Sequence, residues 1–344
     1  MKCAKSMLKN IEGIAMNKDN YSYSKNFQSD LIIRKIYEKN FNKSAEGIII
    51  TSLTGGTKSA VYLIQDCEEK IVLKISTKKQ DKLLSMEKNT IWWESKMLKL
   101  MELKNIPAPR LFKYDDSCEV CDSPYILMSY IEGQTFEKCK KNLLEKEIND
   151  IEYQIGQICS NICEIKGTDF YFPSKPESRY NNNFEFILDL FNMLLEDANT
   201  NNINIGTLSY DEILQLITKY EETLININNL CLVHSDIWDG NIIIKNGKIS
   251  GIVDFADLYF CDELMTFYFH TIKPETSKKF LEGFGKEKLT FEENIRISIH
   301  RLLLLLKMHI ESNYKHFKNN DWILDKIYSE ISKLQDMDKK LKLV

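Results

Sequence analysis

The sequence predicts an α+β chain of two unequal lobes, a small antiparallel β-sheet followed by a mainly helical half. Three observations point there. The 344 residues exceed what one hydrophobic core usually serves. Short β-rich runs separated by turn residues occupy the stretch between Gly47 and Gly133. Helical spacing of apolar residues dominates after Phe136.

The elements follow in order. Residues 1–26 are polar and show no period. From Phe27 to Phe41, Leu31, Ile32, Ile36 and Tyr37 recur at helical spacing. "GIIITSL" and "SAVYLIQD" read as strands, with the Gly-bearing turn "TGGTKS" between and beside them. "KIVLKIS", after a polar turn at Glu68-Glu69, completes an antiparallel meander. Lys82–Leu103 contains no Gly or Pro and reads as one helix, stopped by "NIPAPRL". "RLFKYD" and "YILMSYIEG" form a hairpin around "DSCEVCDSP". Glu132-Gly133-Gln134 is the expected boundary, giving an N-terminal lobe of residues 1–131 and a C-terminal lobe of 132–344. Helical patterns then run from Phe136 to Asn229, broken by "KGTDFYFPSKPESRYNNN", and again from Glu263 to Val344.

Composition narrows the function classes. Hydrophobic residues are 43% and charged residues 28%, as in ordinary globular chains. A net charge of -4 gives no footprint for nucleic acid. The nine cysteines are odd in number, and the N-terminal stretch has no apolar h-region, so free thiols in a reducing cytoplasm are expected. No run reaches the length of a membrane span. The nearest, "ISIHRLLLLLKMHI", carries His300, Arg301, Lys307 and His309 and reads as a core helix. Cys118 and Cys121 have no second pair at zinc spacing. Cys159 and Cys163 share a helix face and are expected in the core.

"HSDIWDGN" (234–241) lies between the apolar "NLCLV" and "IIIKNGKISGIVDFAD". Asn246-Gly247 marks a two-residue hairpin turn. Counting outwards, Lys245 faces Lys248 and Asn241 faces Ile252. Asp254, two places further, would then share the sheet face of Asn241 as a diagonal neighbour, roughly 7–8 Å away. An amide oxygen and a carboxylate oxygen are hard ligands suited to Mg2+. Asp236 leads into the same end of the hairpin. Read alone, these three residues could simply cap turns.

Together these segments resemble the protein-kinase-like superfamily. The kinase run H-R-D-x-x-x-x-N is matched by His234-Ser235-Asp236 followed by Asn241, and its D-F-G by Asp254-Phe255-Ala256. The details are more similar to the aminoglycoside phosphotransferase and small-molecule kinase family. Trp238 is also similar to fructosamine kinases. Asp262 stands where that family has a second Asp. Ser235 replaces a usual Gly, Glu263 a usual Pro, and Thr266 a later Asp. The resemblance covers roughly residues 46–310.

The resemblance implies a protein-kinase-like bilobal fold and a set of roles. Gly55, Gly56, Thr57 and Ser59 would cover phosphates. Lys74 would hold the α- and β-phosphates, with Glu94 as its acidic partner and Glu87 as the competitor. The backbone from Met128 to Tyr130 would meet the base. Asp236 would take the proton of the acceptor hydroxyl, and Asn241 and Asp254 would hold Mg2+. His234 would orient the loop. Trp238, Asp239, Asp257, Asp262 and Glu263 are the acceptor-site candidates, and their acids would favour a polycation. The aromatic run Tyr259, Phe260, Phe267, Tyr268 and Phe269 reads as helix core, with a quaternary-ammonium pocket as the alternative.

The implied reaction moves a phosphoryl group from ATP or GTP to a hydroxyl of a small molecule. Candidate acceptors are an aminoglycoside, choline, a fructosamine, or another sugar or amino alcohol. No nucleic-acid or membrane partner is expected, and the chain would act as a monomer or homodimer. A non-catalytic nucleotide-binding scaffold on the same fold is the competing class. A protein kinase is disfavoured, because no "APE"-like segment follows "DFA".

Overall fold

The computed structural model describes residues 25–53, 58–77, 83–227, 229–267, 278–317 and 321–341. Helix α1 spans Asp30–Phe41 and is capped by Ser29, whose hydroxyl accepts from the Ile32 amide. It begins three residues later than the apolar spacing suggested. Strands β1 (Ile49–Leu53), β2 (Ala60–Gln65), β3 (Lys70–Ile75), β4 (Leu111–Asp115) and β5 (Tyr125–Ser129) form one antiparallel sheet, ordered β1-β2-β3-β5-β4.

Alternation along β3 decides where the lysine goes. Ile71, Leu73 and Ile75 share one face and pack with Ile33, Ile36 and Tyr37 of α1. Val72 and Lys74 take the other face. There Val72 joins a core with Leu98 and Met101 of helix α2 (Thr90–Leu103).

Helix α2 is shorter than the single helix expected over Lys82–Leu103. A 3-10 turn at Ser85–Glu87 precedes it, and Asn89 between the two takes φ 60°. Asn tolerates the left-handed region, so the chain breaks here without a Gly or Pro. Three contacts fasten this segment to the helical lobe. The Ser85 amide and hydroxyl donate to Asp197 (2.7 and 2.8 Å). Lys315 Nζ lies 2.5 Å from Glu87 Oε1. Trp93 Nε1 donates to the Leu258 carbonyl at 2.7 Å.

The chain leaves the sheet through Gly133 at φ 143°, where an added Cβ would sit 2.4 Å from the Ile244 carbonyl oxygen. Only glycine fits that approach. Strand β6 (Gln134–Thr135) then pairs with β8 (Ile242–Lys245), which pairs with β9 (Lys248–Ile252). Strand β7 (Leu230–His234) pairs with β10 (Leu258–Asp262). The helices of this half are α3 (Phe136–Cys139), α4 (Glu145–Cys163), α5 (Asn183–Thr200), α6 (Tyr210–Thr218), α7 (Glu221–Ile225), α8 (Lys278–Phe284), α9 (Phe291–Tyr314) and α10 (Asp321–Leu341). Helices α4 and α8 meet at Gly156 and Gly283, backbone against backbone. Helix α9 buries Leu302–Leu306, as its apolar run predicted, and Cys159 and Cys163 are buried on α4.

The helix expected for the aromatic run fails in part. Tyr259 and Phe260 lie on strand β10 rather than in a helix. Phe267 ends a 3-10 turn, while Tyr268 and Phe269 lie outside the described residues. No helix among the described residues is long and apolar enough to cross a membrane.

Candidate active site

Pairing of β7 with β10 sets His234 opposite Leu258. The residues just beyond each strand end therefore meet. The Ser235 amide and hydroxyl both donate to the Asp257 carbonyl (2.9 and 2.8 Å). The Asp236 amide donates to His234 Nδ1 at 3.2 Å, so that histidine holds the loop. A tight turn carries the chain from Asp236 through Trp238 to Asn241. Asn241 Nδ2 then donates to both the carbonyl and Oδ2 of Asp236, each at 2.8 Å. The turn thus fixes the Asp236 carboxylate with a side-chain amide five residues on.

The hairpin register differs from simple counting. Lys245 faces Lys248 as expected, but Ile243 pairs with Gly251 and Ile242 with Ile252, so β9 carries one extra residue. Asn241 is therefore opposite Val253, whose amide donates to its carbonyl at 2.9 Å. A bulge inserts one unpaired residue and shifts everything beyond it by one. Asp254 follows immediately, with φ 66°. Left-handed backbone is uncommon outside Gly, Asn and Asp and often marks functional sites.

Lys74 reaches this point from the sheet. Its Nζ lies 2.7 Å from Glu94 Oε2 and 2.7 Å from Asp254 Oδ1. Glu94 is 1% exposed. Burial would lower the Lys74 ammonium, but the carboxylates of Asp254 and Glu94 more than offset it and hold it above its ordinary value. Glu87 is not on the same helix and is occupied by Lys315.

The carboxylates differ in basicity. Burial, followed by the Asp257 and Asp254 charges, pushes Asp236 up to about 8. Burial also acts on Asp254, but the Lys74 and Lys58 ammoniums keep it below its usual range. Asp257 is held low against burial by Lys307 and Lys58. His234 is pushed down to about 4 by burial, so it is neutral at pH 7.

A divalent cation fits this donor set. The amide nitrogen of Asn241 is used by Asp236, and its oxygen takes no hydrogen bond among the described residues. Asp254 Oδ2 is likewise without a donor among them, since Lys74 takes Oδ1. No cluster of three or more His, Cys, Asp or Glu suited to a metal occurs among the described residues. Two hard oxygen ligands suit an ion that keeps waters and phosphates for its remaining positions.

The other candidates divide. Trp238 is 38% exposed. Asp239 pairs with Lys140 at 2.7 Å. Asp257 accepts from Lys58 (2.9 Å), Lys307 (3.3 Å) and the Tyr259 hydroxyl (3.0 Å). Asp262 and Glu263 are not at the site. Asp262 pairs with Leu230 at the far end of β10, roughly 13 Å along the strand from Leu258. It is fully buried against Arg296 Nε (3.0 Å) and His300 Nε2 (3.2 Å). Glu263 is bound by Lys286 (3.0 Å) and Asn229 (2.8 Å). Met128 is buried in β5, and the Tyr130 amide is already engaged with the Lys70 carbonyl at 3.2 Å. Ser59 is half-buried, while Gly55, Gly56 and Thr57 lie outside the described residues.

Sequence reasoning missed Lys58 and Lys307. Lys58 stands beside the singled-out glycines. Lys307 closes the leucine run Leu302–Leu306 of α9, and a charge set against such a run is the signal that could have found it.

Comparison with known proteins bears on the fold and the family. Among proteins of curated function, none matches the sequence. A putative fructosamine-3-kinase from Haemophilus somnus superposes with TM-score 0.64 at 16% identity, over 88% of this chain and 96% of that one. Aminoglycoside phosphotransferase APH(2")-IIa in its gentamicin complex gives 0.59 at 20% identity, over 89% and 97%. APH(4)-Ia in a ternary complex with AMP-PNP and hygromycin B gives 0.62 at 14% identity, over 87% and 98%. At such identities the likeness establishes the protein-kinase-like fold. The sequence pattern of the phosphotransferase enzyme family matches residues 49–281, and the chain belongs to that family.

Proposed function

We propose that the protein transfers the γ-phosphate of ATP or GTP to a hydroxyl of a small molecule. The observation that carries this reading is the bridge from sheet to catalytic segment, in which Lys74 lies 2.7 Å from both Glu94 and Asp254. It sets a half-buried ammonium beside Asp254, the residue best suited to a metal.

The roles follow from the contacts. Asn241 orients the Asp236 carboxylate, and burial with neighbouring charge makes that carboxylate basic enough to accept a hydroxyl proton. As the acceptor oxygen bonds to the γ-phosphorus, the bond to the β–γ bridging oxygen breaks and the nucleoside diphosphate leaves. Lys74, positioned by Glu94, holds the donor phosphates. A Mg2+ ion held by Asn241 and Asp254 would offset the charge on those phosphates. Positioning and electrostatics carry the rate, with no covalent enzyme intermediate.

One observation favours a sugar-like acceptor, such as a fructosamine, over a polycationic aminoglycoside. The acids expected to attract a polycation are already neutralised: Asp239 by Lys140, and Asp257 by Lys58 and Lys307. Trp238, 38% exposed, offers an aromatic ring against which a sugar can pack. The eight described cysteines are free, which fits a reducing, cytoplasmic setting.

The test is a phosphoryl-transfer screen of fructosamines, sugars, choline and aminoglycosides, with ATP and GTP in parallel. Acceptor-dependent turnover is expected. Asp236→Asn should lower it about 10²- to 10⁴-fold while nucleotide still binds. Nucleotide binding without turnover on any acceptor would favour the scaffold class instead.

A further inference from the structure

We propose that Lys58 is a further catalytic residue, one that binds the γ-phosphate and is held by Asp257 until nucleotide arrives. The inference rests on the phosphotransferase reading above.

Lys58 lies two residues before β2. Its ammonium crosses to the helical lobe and meets both oxygens of Asp257, at 3.2 and 2.9 Å. Asp257 is bonded through its carbonyl to Ser235, the neighbour of Asp236. The ammonium thus stands on the Asp236 side of the cleft, whereas Lys74 stands on the Glu94 side.

That placement suits the phosphoryl group in transit. This group must lie between the Asn241–Asp254 pair and the oxygen that Asp236 deprotonates. Lys74 is already engaged by Glu94 and Asp254. Lys58 therefore serves the terminal phosphate, and Lys74 the inner ones. Asp257 has a second ammonium, Lys307 at 3.3 Å, so its charge stays matched when Lys58 changes partner. An ion pair in a half-buried cleft contributes little to stability by itself, because desolvation opposes the attraction. An ammonium stored there is instead ready for a more highly charged partner. Lys58 stays protonated throughout, while the acceptor proton goes to Asp236 and the leaving oxygen departs on the diphosphate.

The experiment needs no acceptor. Dissociation constants for ADP and AMP-PNP, and for GDP and GMP-PNP, are measured by calorimetry with Mg2+ on the full chain and on Lys58→Met and Lys58→Arg. A charge-assisted hydrogen bond to a phosphate corresponds to about 10- to 100-fold in affinity. Lys58→Met should weaken the triphosphate analogue by that factor and leave the diphosphate nearly unchanged, and Lys58→Arg should restore much of the loss. The ratio of the two constants cancels any general loss of folded protein. An unchanged ratio, or equal weakening of both nucleotides, would overturn the assignment and leave Lys58 as a strut for Asp257. Failure of the unaltered chain to bind either nucleotide would instead remove the phosphotransferase reading itself.

Discussion

Replacing Glu94 tests how Lys74 is held. Glu94 is 1% exposed, and its Oε2 lies 2.7 Å from Lys74 Nζ. Glu94→Gln keeps an acceptor but removes the charge. A charged hydrogen bond contributes about 1.5–3 kcal/mol, and a neutral one roughly half that. The Gln variant should therefore lose about 1 kcal/mol of Lys74 positioning, or roughly fivefold in affinity for ADP. Glu94→Ala removes the acceptor altogether and leaves Lys74 to Asp254 alone. Its loss should approach about 2–3 kcal/mol, roughly 30- to 150-fold. Calorimetric titration with ADP and Mg2+ reads both values, and thermal melting confirms that each variant is folded. ADP lacks the γ-phosphate, so Lys58 does not enter the result. An alanine variant that is folded and binds ADP like the parent would refute the role given to Glu94.

Two further perturbations address the scaffold. Gly156→Ala would place a Cβ 2.2 Å from the Phe280 carbonyl oxygen, so α4 and α8 must separate; about 1–3 kcal/mol of stability should be lost, read by urea denaturation. His234 is depressed to about 4 against about 6.5 when unfolded, so the unfolded chain binds the extra proton first. Its contribution is complete above pH 6.5 and is lost as pH falls towards 4. Denaturation midpoints of His234→Gln should fall less steeply across that window than those of the parent, and parallel slopes would count against a buried neutral imidazole.

Much of the site was legible because it is written in short local signals. Asn246-Gly247 announced the hairpin, and both residues take the positive φ such a turn requires, 52° and 73°. Lys74 stood out as a charge inside an apolar strand. The bulge in β9 was not legible, since nothing in "KISGIV" says which residue is surplus. Asn89 hid the start of α2 because Asn breaks a helix without the usual punctuation. Strand β10 went unforeseen because "LYFCD" is a short apolar run that suits either element. The misplacing of Asp262 and Glu263 has one cause: proximity in sequence was taken for proximity in space, whereas an extended strand carries the chain away from the candidate site. Arg296 and His300, one helical turn apart on the buried face of α9, were the available clue that an acid lay opposite them. Lys58 lies 199 residues from its partner, a pairing that only the folded chain brings about.

The three fastenings of the segment around α2 have a consequence for affinity. A helix free to drift would have to be recruited at every encounter, and that ordering would be subtracted from each binding event. Here Ser85, Glu87 and Trp93 settle the matter during folding, so the carboxylate of Glu94 is in place before any visitor comes. Such a protein forgoes an obvious off-position and gains constant readiness.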